Sequence, residues 1–134
     1  MRRTQPMRRY STVENAGFNG RARERFLLDN ERYSKFDFNK SGLVIRARRG
    51  QFHYENMVNT GRLVPDNVYI LMESTLTGNA FTVRGWAFGD DEGWSRIKAD
   101  QVEKYWINDD NLRSRASLDT IAYPHLIKKN GAIA

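Results

Sequence analysis

No cysteine occurs among the 134 residues, which excludes a disulfide framework, a thiolate zinc site and a cysteine nucleophile together. Histidine is nearly as scarce. His53 and His125 stand far apart and outside any HExxH-type spacing, so neither a metal centre nor a bound cofactor is expected. No run approaches the roughly 20 apolar residues that cross a bilayer, and the N-terminus lacks the apolar stretch of a secretory signal. The expectation is a protein with no membrane attachment, intracellular, and cytoplasmic or nucleoid-associated. A glycine-rich phosphate loop is missing too: Gly85, Gly89 and Gly93 are separated by aromatic and acidic residues and precede no predicted helix. Asp90, Asp91 and Glu92 lack the alternating ligand spacing of a calcium loop and read as a solvated hairpin tip. Asp66, Glu73 and Lys98 could be imagined as a metal-dependent nuclease triple, but such triples arise in any β-domain. With no catalytic constellation in the sequence, the protein is expected not to be an enzyme.

What is present is aromatic mass and unevenly placed positive charge. Three Trp, six Tyr and seven Phe are ample to anchor the single core that a chain of this length can build. The formal net charge of +6 divides sharply. Residues 1–50 hold 13 Lys/Arg against 5 Asp/Glu, which is +8, and residues 51–134 hold 9 against 11, which is −2. A polyanion footprint confined to the first third has this form.

The opening segment carries Arg2, Arg3, Arg8 and Arg9 with no acid before Glu14, and Pro6 interrupts any continuous helix. It reads as a basic arm over residues 1–20, suited to phosphate neutralisation. Two other readings stay open: a solubilising tail, and an organelle import segment, since Arg8-Arg9-Tyr10-Ser11 resembles a matrix-processing site. Residues 21–38 form an amphipathic helix and linker, with the helix over Arg21–Tyr33. Its Ala22, Phe26 and Tyr33 share one side while Arg21, Arg25 and Arg32 share another.

Residues 39–110 read as a small β-domain. In Leu43–Arg49, Leu43, Ile45 and Ala47 alternate with Val44, Arg46 and Arg48, predicting a half-buried strand with its arginines outward, followed by an Arg49-Gly50 turn. The segment 51–56 is predicted to return as a strand, with a loop over 55–66. Val68–Met72 is a continuous apolar run, hence a central strand buried on both faces. A turn at Thr77-Gly78-Asn79 leads to its hairpin partner, Ala80–Phe88. There Trp86 points into the core if Gly85 sits in a bulge, and outward beside Arg84 if it does not; burial is the favoured alternative. In the next strand Trp94, Arg96 and Lys98 share a face that could stack a base while holding its phosphate. One helical turn is predicted over 99–103, then a last short strand, Tyr105–Ile107.

Hairpin, strand, one-turn helix and final strand, in that order, resemble the end of an SH3-like barrel, in pattern alone, so no functional residue is carried over. Residues 111–134 form a C-terminal tail, with a short helix over Ser117–Ala122 stopped by Pro124. The fold class is therefore mainly β (α+β): a small, strongly bent antiparallel sheet or an SH3-like or OB-like barrel, with a basic arm and short helix before it and a short helix after it.

The function these features favour is non-catalytic binding of nucleic acid, DNA or RNA. Phosphate contacts fall to Arg2, Arg3, Arg8, Arg9, Arg21, Arg25, Arg46, Arg48 and Arg49, and the possible stacking surface to Trp94, Arg96 and Lys98. The alternative is a structural or adaptor subunit of a viral or ribonucleoprotein assembly, or a phage-type inhibitor that grips an acidic host protein.

Overall fold

The computed structural model describes residues 17–38, 40–50, 57–58, 63–99 and 102–131, with backbone alone at 57–58, 97–99 and 102–103. The predicted return strand at 51–56 lies outside the described residues. Helix α1, Phe18–Asp29, begins three residues ahead of the predicted Arg21, because Gly17 accepts the first helical bond from Arg21 N–H (3.0 Å). It ends where Asn30 folds back onto the Phe26 carbonyl through both its backbone and side-chain N–H groups. A 3-10 turn, Glu31–Lys35, then carries the chain on. Ala22 and Phe26 are fully buried on one face of α1, as their helical spacing predicts. Tyr33 is equally buried, but from the 3-10 turn, because the helix expected to run to Tyr33 ends at Asp29.

Six strands follow among the described residues: β1 (Leu43–Arg49), β2 (Met57–Val58), β3 (Val68–Ser74), β4 (Phe81–Phe88), β5 (Trp94–Ala99) and β6 (Val102–Ile107). They form two three-stranded sheets, ordered β1-β3-β4 and β2-β6-β5, and among the described residues these do not close into a barrel. The fold is thus mixed α/β. The first sheet is not purely antiparallel: β1 runs parallel to β3, Leu43 opposite Val68 through Arg49 opposite Ser74. A parallel neighbour needs a long crossover, and residues 50–67 supply it, sending β2 into the second sheet on the way. As predicted, β3 is the central strand of its sheet, with Val68 to Met72 all buried.

Between β3 and β4 the register slips by one residue. Leu71 pairs with Gly85 and Met72 with Val83, leaving Arg84 as the extra residue of a bulge. Phe81, Val83, Trp86 and Phe88 consequently share one face, the face of Leu43, Ile45, Val68, Ile70 and Met72. Helix α1 and the C-terminal segment cover it. Gly85 permits the slip's close packing, since a Cβ there would lie 2.7 Å from both the Arg113 carbonyl oxygen and the Leu112 Cβ.

The predicted helical turn at 99–103 gives way to a tight β5–β6 hairpin with Ala99 opposite Val102. Cross-strand pairing from Trp94–Ile107 onward satisfies the backbone groups that a helical turn would have used. The predicted stop at Pro124 is corrected as well. A π-turn, Leu118–Ala122, leads directly into α2, Tyr123–Asn130, with Pro124 in its first turn. There the missing N–H costs no helical bond. Tyr123 N–H reaches back five residues to the Leu118 carbonyl, widening the turn ahead of the ring. Leu118, Ala122 and Leu126 enter the main core, and Asn130 anchors the helix end to the Ser41 carbonyl (3.0 Å).

Candidate nucleic-acid interface

The register gives the first sheet two chemically different ends. Arg49, Ser74 and Phe81 mark one end; Leu43, Val68 and Phe88 mark the other. At the second end Asp90 and Glu92 are exposed just after Phe88, while Asp66, just before Val68, is paired with Lys129 (2.8 Å).

At the first end Phe18 packs on Phe81, ring centroids 5.3 Å apart. The guanidinium carbon of Arg49 lies 4.7 Å above the Phe18 ring and that of Arg21 5.8 Å from it. Arg49 also donates to the Leu76 carbonyl (3.0 Å) in the β3–β4 turn. That turn needs Gly78 at φ +78°, and a Cβ added there would lie 2.9 Å from Arg49 Nη1 and 3.5 Å from Arg21 Nη2. Two guanidinium groups therefore crowd one turn, and neither forms an ion pair with any described carboxylate. Thr75, Leu76, Thr77 and Asn79 beside them are exposed.

The other predicted phosphate contacts fare differently. Arg2, Arg3, Arg8, Arg9 and the side chain of Lys98 lie outside the described residues. Arg25 spends its guanidinium on Asp29 in a two-pronged pair (2.6 and 3.1 Å), which holds that carboxyl below its ordinary range. Arg46 is half-buried and donates to the Ile45 carbonyl (3.0 Å). Arg48, expected outward, is 4% exposed. Its Nη2 lies 2.8 Å from Asp109 Oδ2 and 4.0 Å from Glu73, and Arg84 bonds the same two acids at 2.7 and 3.2 Å. Alternation had correctly assigned Arg48 to the second face of the sheet. That face is covered, and a buried arginine requires a carboxylate partner.

The expected Trp94 platform is corrected too. Its ring packs edge-on against Tyr69 at 5.6 Å and its indole N–H donates to the Phe88 carbonyl (2.9 Å). Trp94 joins the two sheets, leaving Arg96 as the exposed member of the predicted trio whose side chain is described. The imagined nuclease triple is not assembled: Asp66 pairs with Lys129 (2.8 Å) at one end of β3 and Glu73 with Arg84 at the other. His125 turns its Nε2 to the Asp66 carbonyl (2.7 Å). No cluster of three metal-ligating side chains occurs among the described residues, and no helix among them is long and apolar enough to cross a membrane.

The acidic tip has a structural use that spacing did not reveal. Asp91 accepts both prongs of Arg113 (2.8 and 2.9 Å) and the Phe88 N–H (3.0 Å). Burial works against the charge on Asp91, but these donors outweigh it and hold the carboxyl below its ordinary range. A depressed carboxyl adds stability above its unfolded value of about 3.9, and that stability is lost as pH falls through the folded value. Asp91→Asn is expected to flatten the acid limb of stability below about pH 4. Urea midpoints followed across pH would check it, and an unchanged acid limb would show that this pair does not stabilise the fold.

Comparison with protein-family models, with curated proteins and with solved structures finds no match.

Proposed function

We propose that the protein binds nucleic acid through its phosphate backbone, without catalysing a reaction on it. The observation that carries this reading is the pair Arg21 and Arg49, gathered on Phe18 at the β3–β4 turn without a described carboxylate partner. Residues 1–16, with four more arginines, precede Gly17 and Phe18 directly in the chain. Basic groups with no carboxylate partner among the described residues are available to phosphates; Arg25 and Arg48, neutralised by Asp29 and Asp109, contribute less.

Affinity for generic single- or double-stranded nucleic acid is expected to fall steeply with salt. Removing residues 1–16, which leaves Ala22 and Phe26 in the core, should reduce the log–log slope by about 3 to 4 for four lost phosphate contacts. Arg21→Ala with Arg49→Ala should reduce it by about 2. Fluorescence anisotropy over a salt series measures both. Salt-independent binding, or none at low salt, would overturn the reading in favour of a structural or adaptor subunit.

A further inference from the structure

A cleft of about 600 Å³ opens between α1, β3, β4 and residues 115–119, within the size range of small-ligand sites. Its floor is apolar, with Val83 half-buried and Phe81 and Leu118 beneath. Its rim is polar, and the two acids there are engaged within the fold. Asp29 holds Arg25 with both oxygens. Asp119 accepts the Tyr33 hydroxyl (3.0 Å) and faces Arg32 at 3.8 Å; burial, aided by Asp119, raises the Tyr33 phenol well above its ordinary range, so it remains a donor.

Arg115 is the contrast. It is exposed, and among the described residues its guanidinium forms no hydrogen bond or ion pair, though its charge helps to hold the nearby Asp29 carboxyl below its ordinary range. The cleft thus combines an apolar floor, a guanidinium with no hydrogen-bonded partner among the described residues, and the Thr82 hydroxyl and Asn30 side-chain carbonyl as hydrogen-bonding groups. Its complement is a ligand with an apolar ring, polar ring edges and an anionic group. A nucleotide has all three.

Position narrows the source. Phe81 lines the cleft and also supports Phe18, over which Arg21 and Arg49 lie. The cleft and the basic end therefore share a wall. A strand whose phosphates rest on those arginines can turn a neighbouring base into the cleft, whereas a paired, stacked base is held back by the duplex.

We propose that this cleft receives one unstacked nucleotide of a single-stranded nucleic acid, its base over the Val83 floor and its phosphate on Arg115. The inference rests on the nucleic-acid reading above and goes beyond it. The test titrates the full chain with a single-stranded oligonucleotide carrying one 2-aminopurine, its abasic counterpart, and the matching duplex. Two variants are compared: Ala116→Trp, which fills the cleft from an exposed lining position, and Arg115→Ala, which changes an exposed side chain. The 2-aminopurine is expected to brighten on binding. Ala116→Trp should abolish that change and weaken single-strand affinity about tenfold or more, the scale of one lost base contact. Arg115→Ala should weaken it severalfold, and neither variant should alter duplex affinity. If Arg115→Ala, Ala116→Trp and the abasic strand all bind like the originals, the cleft assignment falls while the nucleic-acid reading stands. If neither single strand nor duplex binds at low salt, both fall.

Discussion

Replacing Trp86 with alanine is expected to lower the unfolding free energy by about 3–5 kcal/mol, the range for deleting a fully buried large aromatic. Trp86 is 0% exposed and joins the first sheet to the C-terminal segment. Its ring meets Phe88 at 4.9 Å, the Arg113 guanidinium lies 5.2 Å from its centroid, and its indole N–H donates to Ser117 Oγ (2.9 Å). Its backbone exchanges hydrogen bonds with Arg113 in both directions, at 2.8 and 3.2 Å. The alanine variant keeps those backbone bonds, so the loss measures the ring. Ser117→Ala removes one hydrogen-bond partner and should cost about 1 kcal/mol. Equilibrium urea unfolding separates the two, with a shifted midpoint at unchanged slope. A Trp86→Ala loss near that of Ser117→Ala would show that the ring is not a main support of the core.

Asp109→Ala is expected to cost about 2–4 kcal/mol, toward the range for removing one partner of a buried ion pair. Asp109 Oδ2 accepts from Arg48 Nη2 and from Arg84 Nη2, but the two arginines differ in setting. Arg84 is 40% exposed and can be rehydrated, whereas Arg48 is 4% exposed. Glu73 stays 4.0 Å from Arg48 in the variant and limits the loss. Arg84→Ala should therefore cost much less than Asp109→Ala. Combining Asp109→Ala with Arg48→Met removes the buried charge with its partner and should recover much of the lost stability. If the double variant is as unstable as Asp109→Ala alone, charge burial is not the source of the loss.

Arg48 and Asp109 also show why functional residues were harder to read than strands. Both arginines of the predicted strand face lay on the second face of the sheet, as alternation requires. Whether that face met water depended on partners distant in the chain, 61 residues away for Asp109. A charged side chain is assigned outward by default because burying it unpaired is costly, and the default fails where the fold brings a carboxylate to it. Trp94 is held by a different contact: its carbonyl partner, Phe88, is only six residues back in the chain but belongs to the other sheet, as does Tyr69. Arg21 and Arg49 pair with no described carboxylate, and their shared support on Phe18 is a tertiary contact.

By itself the sequence determined the elements whose signals are local. These are the α1 face of Ala22 and Phe26, the apolar run of β3, the Gly78 turn, the alternation in β1, and the concentration of positive charge in residues 1–50. The repeat of a helix or strand assigns each side chain to a face, and composition fixes net charge, without reference to the rest of the molecule. The tertiary structure alone decided which strands pair, that β1 lies parallel to β3, that the bulge falls at Arg84 and buries Trp86, and that Pro124 opens a helix after a π-turn. It also decided that Arg48 is buried against Asp109 and not turned to solvent. Apart from the π-turn, whose bond spans five residues, these depend on contacts between residues far apart in the chain, and such contacts are selected by what the assembled core can bury and pair.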